Sequence, residues 1–350
     1  VEQAMERERV LARRLTESAS GAKRMSLADA ALGVYQRLLR ANDPATKSEP
    51  QTTRRRVALG IEGLQRVIRG LRPRSLTVIG ARQQVGKSSI MVQMAIGQAD
   101  AGERVGYVSI EDDEDIPGER ALASVSDVPL RSISEEDVES FGRDDWTALT
   151  EGMDRLYRSG IQISIPRSAR VADVCAEIRW LVLDQKCTVV HVDYLQKVRA
   201  RGADVVERTA NALTEIEQTG EELEVPIVLA SQFNRPERGQ EYAPPTIERL
   251  KNTGDIEASA DVVLLAYYTR APRAEDDGAL VDPRLVHIAF AKVKWGVAGS
   301  VIRFRRKASG ELVETNDEET TERKPRTTTT KKANGQQSLP AQDPRTPEAP

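Results

Sequence analysis

The amino-acid sequence predicts an α/β protein with a mostly parallel, doubly wound sheet. Short runs rich in β-branched residues recur between about residues 57 and 315. Several of them are apolar throughout, which is typical of strands covered on both faces of a parallel sheet. Helical patterns separate the runs, for example over residues 88–101 and 171–185, and this alternation favours βαβ connections.

The predicted strands can be read directly from the apolar runs. In chain order they are SLTVIG, RVGYVSIE, IQISIP, CTVVHVDYL, VPIVLASQ, ADVVLLAYY, LVHIAFAKV and SVIRFRR. The helix over 171–185 carries an apolar face at helical spacing, formed by Val171, Val174, Cys175, Ile178 and Val182. This face indicates a helix packed on the sheet.

The segments that flank this pattern are more polar. Residues 1–25 are rich in charge and predict a helical extension, and residues 26–56 predict a helix followed by a linker with two prolines. Ser26 and Asp29 have the spacing of a capping box, and the following apolar stripe packs either on its own domain or on a neighbouring subunit. Residues 57–315 form the main domain, and residues 316–350, which have no aromatic residue, predict a disordered tail.

Composition excludes several classes of function. The formal net charge is −3, so any affinity for nucleic acid has to come from local basic loops. No apolar stretch approaches the ~20 residues of a membrane-spanning helix, and we expect a cytoplasmic protein without a membrane partner. Cys175 and Cys187 are expected to be buried, reduced thiols, and His191 and His287 to be core residues.

The sequence VIGARQQVGKSS (78–89) predicts a phosphate-binding loop. The pattern is G-x-x-x-x-G-K-[ST], and here Ala81 takes the first glycine position while Gly86, Lys87 and Ser88 complete it. Lys87 would reach the β- and γ-phosphates, and the Ser88 hydroxyl would bind Mg²⁺. The residues expected around the phosphates are Ala81, Arg82, Gln83, Gln84, Val85, Gly86, Lys87, Ser88 and Ser89.

Three polar residues close apolar runs elsewhere in the chain. Asp193 ends CTVVHVD, Glu111 ends RVGYVSIE and Gln232 ends VPIVLASQ. The carboxyl ends of parallel strands meet at one edge of a sheet, where ligands bind, so we expect these side chains to approach Lys87. Asp193 is the predicted Mg²⁺ residue, although it could instead only cap the segment that follows it.

These segments, taken in order, resemble the C-terminal motor domain of DnaB-type replicative helicases, which are RecA-like ATPases. The resemblance rests on ARQQVGKSS, YVSIE, VVHVDYLQ, LEVPIVLASQFNR, LKNTGDIEASADVVLLAYY and IAFAKVKWGVAGSV. It spans about residues 57–315, and residues 26–42 resemble the family's linker helix. It implies a RecA-like sheet with antiparallel C-terminal strands and a ring, a homo-hexamer, with ATP and Mg²⁺ held between subunits.

The resemblance also implies a role for each matched residue. Lys87 and Ser88 would hold the phosphates and Mg²⁺, Asp193 would hold the metal through water, and Glu111 would deprotonate the attacking water. Gln232 would report the γ-phosphate to the DNA loops. Lys292 and Lys294 would reach into the neighbour's site, or form only a solvated strand edge. The family has an arginine where this chain has Lys294, so Arg303 or Arg305 is a further candidate for that cation.

Two basic loops are candidates for binding single-stranded DNA. The first carries Arg199 and Arg201, and the second spans residues 234–254. The second supplies Arg235, Arg238, Arg249, Lys251, Asn252 and Gly254. Neither loop is dense in aromatic residues, which favours contacts with the phosphate backbone over base stacking. Either loop could instead be a solvated surface loop.

The sequence therefore predicts an ATP-hydrolysing helicase that translocates on single-stranded DNA in replication. A helicase loader or a primase is a possible partner. Two alternatives remain open at this stage. One is a RecA-like recombination or repair ATPase that forms filaments on DNA. The other is a weakly hydrolysing ATP-dependent loader or scaffold, which the lysine at position 294 motivates.

Overall fold

The computed structural model describes residues 26–42, 56–81, 85–233, 244–247, 250, 254–268 and 284–315 of the chain. The chain divides into two compact units, Val1–Arg55 and Arg56–Pro350. The predicted extension over residues 1–25 and the predicted tail over residues 316–350 lie outside the described residues.

The described part of the first unit is one helix, α1 (Leu27–Asn42). The predicted capping box is present, because the Ser26 hydroxyl accepts a hydrogen bond from the Asp29 N–H (3.0 Å) and the Asp29 carboxylate accepts one from the Ser26 N–H (3.2 Å). The apolar side chains of α1 are exposed within this unit. They are Leu27, Leu32, Val34, Tyr35, Leu38 and Leu39.

The second unit is built on one nine-stranded sheet. Its strands are β1 (Leu76–Ala81), β2 (Val105–Ser109), β3 (Gln162–Ser164), β4 (Val189–Asp193), β5 (Ile227–Gln232), β6 (Val262–Tyr268), β7 (Leu285–Val293), β8 (Val301–Arg306) and β9 (Leu312–Glu314). Their order in the sheet is β3-β2-β4-β5-β1-β6-β7-β8-β9. The strands from β3 to β6 are parallel, and β7, β8 and β9 pair antiparallel. The predicted sheet is therefore confirmed, with β9 as an additional strand.

Helices cover both faces of this sheet. They are α2 (Glu62–Val67), α3 (Lys87–Asp100), α4 (Asp115–Ser126), α5 (Leu130–Ser134), α6 (Arg143–Ser159), α7 (Val171–Leu183), α8 (Val205–Glu222) and α9 (Gly254–Ser259), with 3₁₀ turns at Val138–Ser140 and Leu195–Lys197. The helices predicted over 88–101 and 171–185 correspond to α3 and α7. The predicted apolar face of α7 is buried, apart from a half-buried Val182.

Two apolar layers hold the sheet between the helices. Along β1, Ile79 and Ala81 belong to one layer, whereas Leu76 and Val78 belong to the other. Successive side chains of a strand point to opposite faces, so a strand with both faces covered must be apolar throughout. This explains the continuous apolar runs in the sequence.

A close backbone contact fixes helix α3 against the segment before α2. Gly60 has a left-handed φ of 80°, and a Cβ atom on Gly97 of α3 would lie 1.9 Å from the Gly60 carbonyl oxygen. Gln98, also in α3, donates a hydrogen bond to the Ala58 carbonyl (2.9 Å). These contacts set the depth at which α3 lies on the sheet and therefore where its N-terminus points.

The histidines and cysteines are core residues, as predicted. His191 and His287 are buried in β4 and β7, and Cys175 and Cys187 are free and buried. Burial raises the pKa of the Cys187 thiol to about 11, because a thiolate is poorly solvated there. No helix among the described segments is long and apolar enough to cross a membrane.

Candidate active site

The phosphate-binding loop joins β1 to α3. β1 ends at Ala81, α3 begins at Lys87, and Gly86 between them has the left-handed conformation (φ 84°, ψ 37°). The Gly86 carbonyl accepts the first helical hydrogen bond, from the Ile90 N–H (2.9 Å). The N–H groups of the first turn of a helix have no intrahelical partner, and this makes the start of α3 an anion site. Arg82, Gln83 and Gln84 lie outside the described residues.

Strand order brings three predicted residues to the same edge of the sheet. β5 lies between β1 and β4. Gln232 at the end of β5 is paired with Ala81 at the end of β1, and Asp193 at the end of β4 is paired with Ser109 at the end of β2. The positions of Gln232 and Asp193 therefore lie one and two strands away, on the same side of the loop that carries Lys87.

Asp193 and Lys87 form a nearly buried pair. The Lys87 Nζ lies 3.7 Å from Asp193 Oδ1, and the two side chains are only 13 % and 7 % exposed. Burial lowers the pKa of Lys87, while the charges of Asp193, Glu111 and Asp112 oppose that shift. On the other side of the carboxylate, the buried Tyr107 hydroxyl donates a hydrogen bond to Asp193 Oδ2 (2.9 Å).

The oxygen atoms of this pocket fit a magnesium ion. Asp193 Oδ1 is buried and has no hydrogen-bond partner among the described residues, and the neighbouring Ser88 is the second residue of α3. In the described ranges no group of three or more His, Cys, Asp and Glu residues could hold a metal ion. Mg²⁺ is commonly held by one or two carboxylates together with the phosphates of a substrate, so one carboxylate and one hydroxyl suffice.

Tyr194 connects Lys87 with Glu111. Its ring lies under the ammonium group of Lys87, with Nζ 3.7 Å from the ring centroid, and its hydroxyl donates a hydrogen bond to Glu111 Oε1 (3.4 Å). Burial, followed by the charge of Glu111, raises the pKa of Tyr194 to about 12. Lys197 Nζ also lies 3.5 Å from Glu111 Oε1. The Glu111 carboxylate is thus held at the mouth of the pocket and remains partly exposed.

The predicted end of β2 at Glu111 is wrong by two residues, since the strand ends at Ser109. The chain turns there because the Ile110 N–H donates to the Asp193 carbonyl (2.8 Å) and the Ser109 hydroxyl donates to the Asp112 carbonyl (2.7 Å). Asp112 itself forms an ion pair with Arg120 (2.7 Å). Of these two neighbouring acids, Glu111 is therefore the one that faces Tyr194.

Gln196 fixes the end of β5, a role that the sequence did not indicate. Its side-chain oxygen accepts a hydrogen bond from the Gln232 N–H (3.0 Å), and its amide nitrogen donates to the Ser231 hydroxyl (2.8 Å). Gln196 lies in the 3₁₀ turn Leu195–Lys197, which comes shortly after Asp193 in the chain. One side chain therefore connects β4, which carries the predicted metal residue, with β5, which carries the predicted γ-phosphate sensor.

Lys292 and Lys294 lie at the opposite end of β1. Lys294 Nζ contacts Asp261 Oδ1 (2.7 Å), and Asp261 Oδ2 accepts a hydrogen bond from the N–H of Leu76, the first residue of β1. The bond to Asp261 raises the pKa of Lys294, and Lys292 donates to the Glu257 carbonyl. Since β1 is about 17 Å long at ~3.3 Å per residue, neither lysine reaches the phosphate-binding loop of its own chain.

Arg199 and Arg201 lie in an exposed but anchored loop. The Arg199 N–H donates to the Ala169 carbonyl (2.6 Å), and Asn211 of α8 donates to the Arg201 carbonyl (2.8 Å). Both side chains are exposed. In the second predicted DNA loop, Gly254 begins α9, whereas Arg235, Arg238, Arg249, Lys251 and Asn252 lie outside the described residues.

Comparison with known proteins places this site in a family. The chain is 30 % identical over 228 residues to the replicative DNA helicase DnaB of Helicobacter pylori. The matched region covers 63 % of this chain and 46 % of that protein. Two solved structures resemble the fold at 21 % sequence identity. One, described as an ATPase domain, has a TM-score of 0.70 and covers 84 % of this chain and 100 % of that chain. The other, described as a DnaB-like replicative helicase and its interactions with primase, has a TM-score of 0.67 and covers 89 % of this chain and 74 % of that one.

The match to a family model begins at the start of the second unit and ends inside it. The chain spans about half the length of the curated relatives it matches. The model of the DnaB-like helicase C-terminal domain matches residues 57–309, which include the phosphate-binding loop, Glu111, Asp193 and Gln232. The chain therefore belongs to the DnaB-like helicase C-terminal domain family.

Proposed function

We propose that this chain is the motor of an ATP-dependent helicase that hydrolyses ATP to move along single-stranded DNA during replication. The observation that carries this proposal is the placement of Lys87, Asp193 and Glu111 around Tyr194 at the start of α3. A cation, a metal carboxylate and a second carboxylate at a helix N-terminus are the groups that phosphoryl transfer to water requires. The motor is assigned to residues 57–315, preceded by the linker region 26–56.

Each group has a role in the reaction. The N–H groups at the start of α3 and the Lys87 ammonium hold the phosphates, while Ser88 and Asp193 hold the metal. Mg²⁺, when bound, neutralises negative charge on the β- and γ-phosphates. Glu111 accepts the proton of the attacking water, and its exposed position leaves room for that water. Gln232 lies one strand from the loop, where it can sense the γ-phosphate.

The proposed functional unit is a ring, a homo-hexamer, in which neighbouring chains would each contribute part of every nucleotide site. Lys292 and Lys294 lie at the far end of β1 from Lys87, so they serve the nucleotide of a neighbouring subunit. A cation supplied by a neighbour stabilises charge in the transition state. The exposed apolar face of α1 supplies a surface for contact with an adjacent subunit.

DNA and protein partners follow from the same assignment. Arg199 and Arg201, together with the second basic loop, would track the phosphate backbone of single-stranded DNA without sequence preference. The likeness to a solved structure described with primase motivates primase or a helicase loader as a partner. We place this activity in the bacterial cytoplasm or in a phage-infected cell.

Variants at two residues test the hydrolytic site. Lys87→Ala should abolish nucleotide binding and hydrolysis, and Glu111→Gln should abolish hydrolysis while leaving nucleotide binding and assembly intact. Phosphate release is measured with and without single-stranded DNA, and assembly is measured by light scattering. Hydrolysis that survives in both variants would refute the assignment of the site.

An unwinding assay tests the helicase assignment. The protein should separate a forked duplex with ATP and should fail to do so with a non-hydrolysable analogue, and electron microscopy should show rings. Filaments on DNA without unwinding would indicate a recombination-type ATPase. Binding of ATP without DNA-stimulated phosphate release would indicate a loader or scaffold.

A further inference from the structure

Arg306, the last residue of β8, reaches the phosphate-binding loop of its own chain. Its guanidinium Nη2 donates a hydrogen bond to the carbonyl of Val85, the residue before Gly86. Its Nη1 donates to the Tyr268 hydroxyl (2.8 Å), and the guanidinium lies 5.8 Å from the centroid of that ring. Strand β8 is three strands away from β1 in the sheet, so this contact is a long-range feature of the fold.

The contact with Val85 constrains the direction of an N–H group. A trans peptide unit is planar, and its C=O and N–H bonds point in opposite directions. A donor that holds the Val85 carbonyl therefore also fixes the direction of the Gly86 N–H in the same peptide plane. That N–H belongs to the loop whose amides receive the phosphates, so Arg306 sets the loop before a nucleotide arrives.

Gly86 and Arg306 fit each other closely. A Cβ atom on Gly86 would lie 2.4 Å from Arg306 Nη2, and Gly86 has a left-handed φ of 84°. Glycine at this position adopts a backbone conformation that other residues rarely adopt, and its lack of a side chain leaves space for the guanidinium. The two terminal nitrogens of Arg306 donate to Val85 and Tyr268, while its buried Nε has no hydrogen-bond partner among the described residues.

We propose that Arg306 is a positioning residue of the nucleotide site, which fixes the peptide between Val85 and Gly86 from a strand remote from the loop, with Tyr268 orienting its guanidinium. This inference rests on the proposed ATP-binding function of the loop. A planar fork with two separate donors is needed, because one nitrogen is used for each partner. Lysine, which offers a single charged centre, cannot hold both oxygens with the same geometry.

Equilibrium binding of a fluorescent ADP, without turnover, tests the proposal. Arg306→Gln should weaken binding by about tenfold to a hundredfold, the loss expected for a hydrogen bond to a charged group. Arg306→Lys should recover part of the affinity, and Tyr268→Phe should weaken binding by a few-fold. The matched control is Arg158→Gln, since Arg158 is an exposed arginine of α6 in an ion pair with Asp154. Its affinity should equal that of the wild type.

Further measurements separate positioning from stability. In steady-state assays Arg306→Gln should raise KM more than it lowers kcat, and its thermal unfolding midpoint without nucleotide should stay near that of Arg158→Gln. Unchanged ADP affinity in both Arg306→Gln and Tyr268→Phe would overturn the proposal, and so would a lowered midpoint with unchanged affinity. If Arg306→Gln fails to fold, Tyr268→Phe alone decides. Failure of the wild type to bind ADP would instead refute the proposed function of the loop.

Discussion

Tyr107 is a buried residue whose hydroxyl contacts the carboxylate of Asp193, the proposed metal residue. Its hydroxyl donates to Asp193 Oδ2, and this leaves Oδ1 directed towards Lys87. Burial and the charge of Asp193 raise the pKa of Tyr107 well above its usual value, so the hydroxyl keeps its proton and remains a donor. The orientation of the carboxylate thus depends on a tyrosine in β2.

Tyr107→Phe should therefore weaken the hold on Mg²⁺ more than the hold on nucleotide. We expect the Mg²⁺ concentration that half-saturates binding of fluorescent ADP to rise by about tenfold, because an oriented hydrogen bond to a charged group is lost. Binding of ADP in EDTA should change little. Tyr157→Phe is the control, since Tyr157 is 87 % exposed on α6. An unchanged Mg²⁺ dependence would show that Asp193 is oriented by other groups.

His191 makes the stability of the motor sensitive to acid. It is fully buried, its Nε2 pairs with Gln98 Oε1 (2.7 Å), and burial lowers its pKa to about 3 from an ordinary 6.5. The unfolded chain gains a proton below pH 6.5, whereas the folded chain gains it only near pH 3. The contribution of this group to stability is therefore complete above pH 6.5 and is lost as the pH falls towards 3.

Urea unfolding of His191→Gln at pH 7 and pH 5 tests this linkage. The wild type should lose about 2 kcal/mol more than the variant between these two pH values, from ~1.4 kcal/mol for each pH unit below 6.5. Acidic groups contribute equally to both proteins and cancel in the difference. The same loss in both proteins would mean that His191 takes up its proton near its ordinary pKa.

At the level of single residues, the sequence indicated the residues that belong to motifs. It did not indicate the residues whose contacts position them. Lys87, Asp193 and Gln232 could be predicted because each ends or follows an apolar run, and parallel strands collect such ends at one edge. Tyr107, Gln196 and Arg306 could not be predicted in this way. Their roles depend on contacts between strands that are distant in sequence, and as residue types they are common in strands and turns. The roles of the predicted residues themselves remain a proposal.

Two glycines, Gly60 and Gly97, allow helix α3 to pack closely against the segment before α2. A side chain at position 97 would collide with the Gly60 carbonyl at 1.9 Å, so the helix and the segment before α2 can approach only without it. The phosphate-binding loop runs directly into α3, and any displacement of the helix moves the amides at its start. The contact between Gly60 and Gly97 therefore influences the position of the amides that are proposed to bind nucleotide.

Gly97→Ala should destabilise the motor by about 1–3 kcal/mol through this overpacking, even though alanine is the better helix former. The matched control is Gly118→Ala in α4, where a Cβ atom would meet nothing within 4 Å. That variant should gain about 0.5–1 kcal/mol. Chemical unfolding measures both changes, and a stabilised Gly97→Ala protein would contradict the described packing.

The elements that could be predicted are those with a continuous apolar pattern. All eight predicted strands correspond to β1–β8, with ends that shift by up to two residues because turns and hydrogen bonds to neighbours end the pairing. Strand β9 has three residues, too few for a pattern to be visible. Helices α4 and α6 bury few apolar residues, among them Ala123 and Leu149, and no prediction named either helix.

For the whole molecule, β1 lies between the two sites that are proposed for each subunit. Its last residue leads to the phosphate-binding loop, and its first residue contacts Asp261, the partner of Lys294. In the proposed ring, each site takes Lys87 from one chain and Lys294 from the next. The order of strands that creates this arrangement was not predictable from local patterns, because it depends on which distant strands pair.

Mixing two inactive variants tests this arrangement. Lys87→Ala and Lys294→Ala should each have little activity alone, but mixed rings should recover ATPase activity. In an equal, random mixture about a quarter of the interfaces contain an intact Lys87 facing an intact Lys294. Recovery requires exchange of subunits, which is promoted by dilution and reassembly. No recovery in rings that have demonstrably mixed would mean that Lys294 does not act across the interface.

In the proposed ring, strands β7 and β8 would link the nucleotide sites of successive subunits. Arg306, beside its own loop, lies at one end of this pair, and Lys294 lies at the other, about 33 Å away along β7. In the proposed ring the same two strands thus border two nucleotides at once. Coupling free energies are reciprocal. If a nucleotide that contacts Lys294 changes the affinity for the nucleotide beside Val85, the second nucleotide changes the affinity for the first by the same factor. A Hill coefficient for ATP that departs from one, in either direction, is the consequence expected of such coupling in the proposed ring.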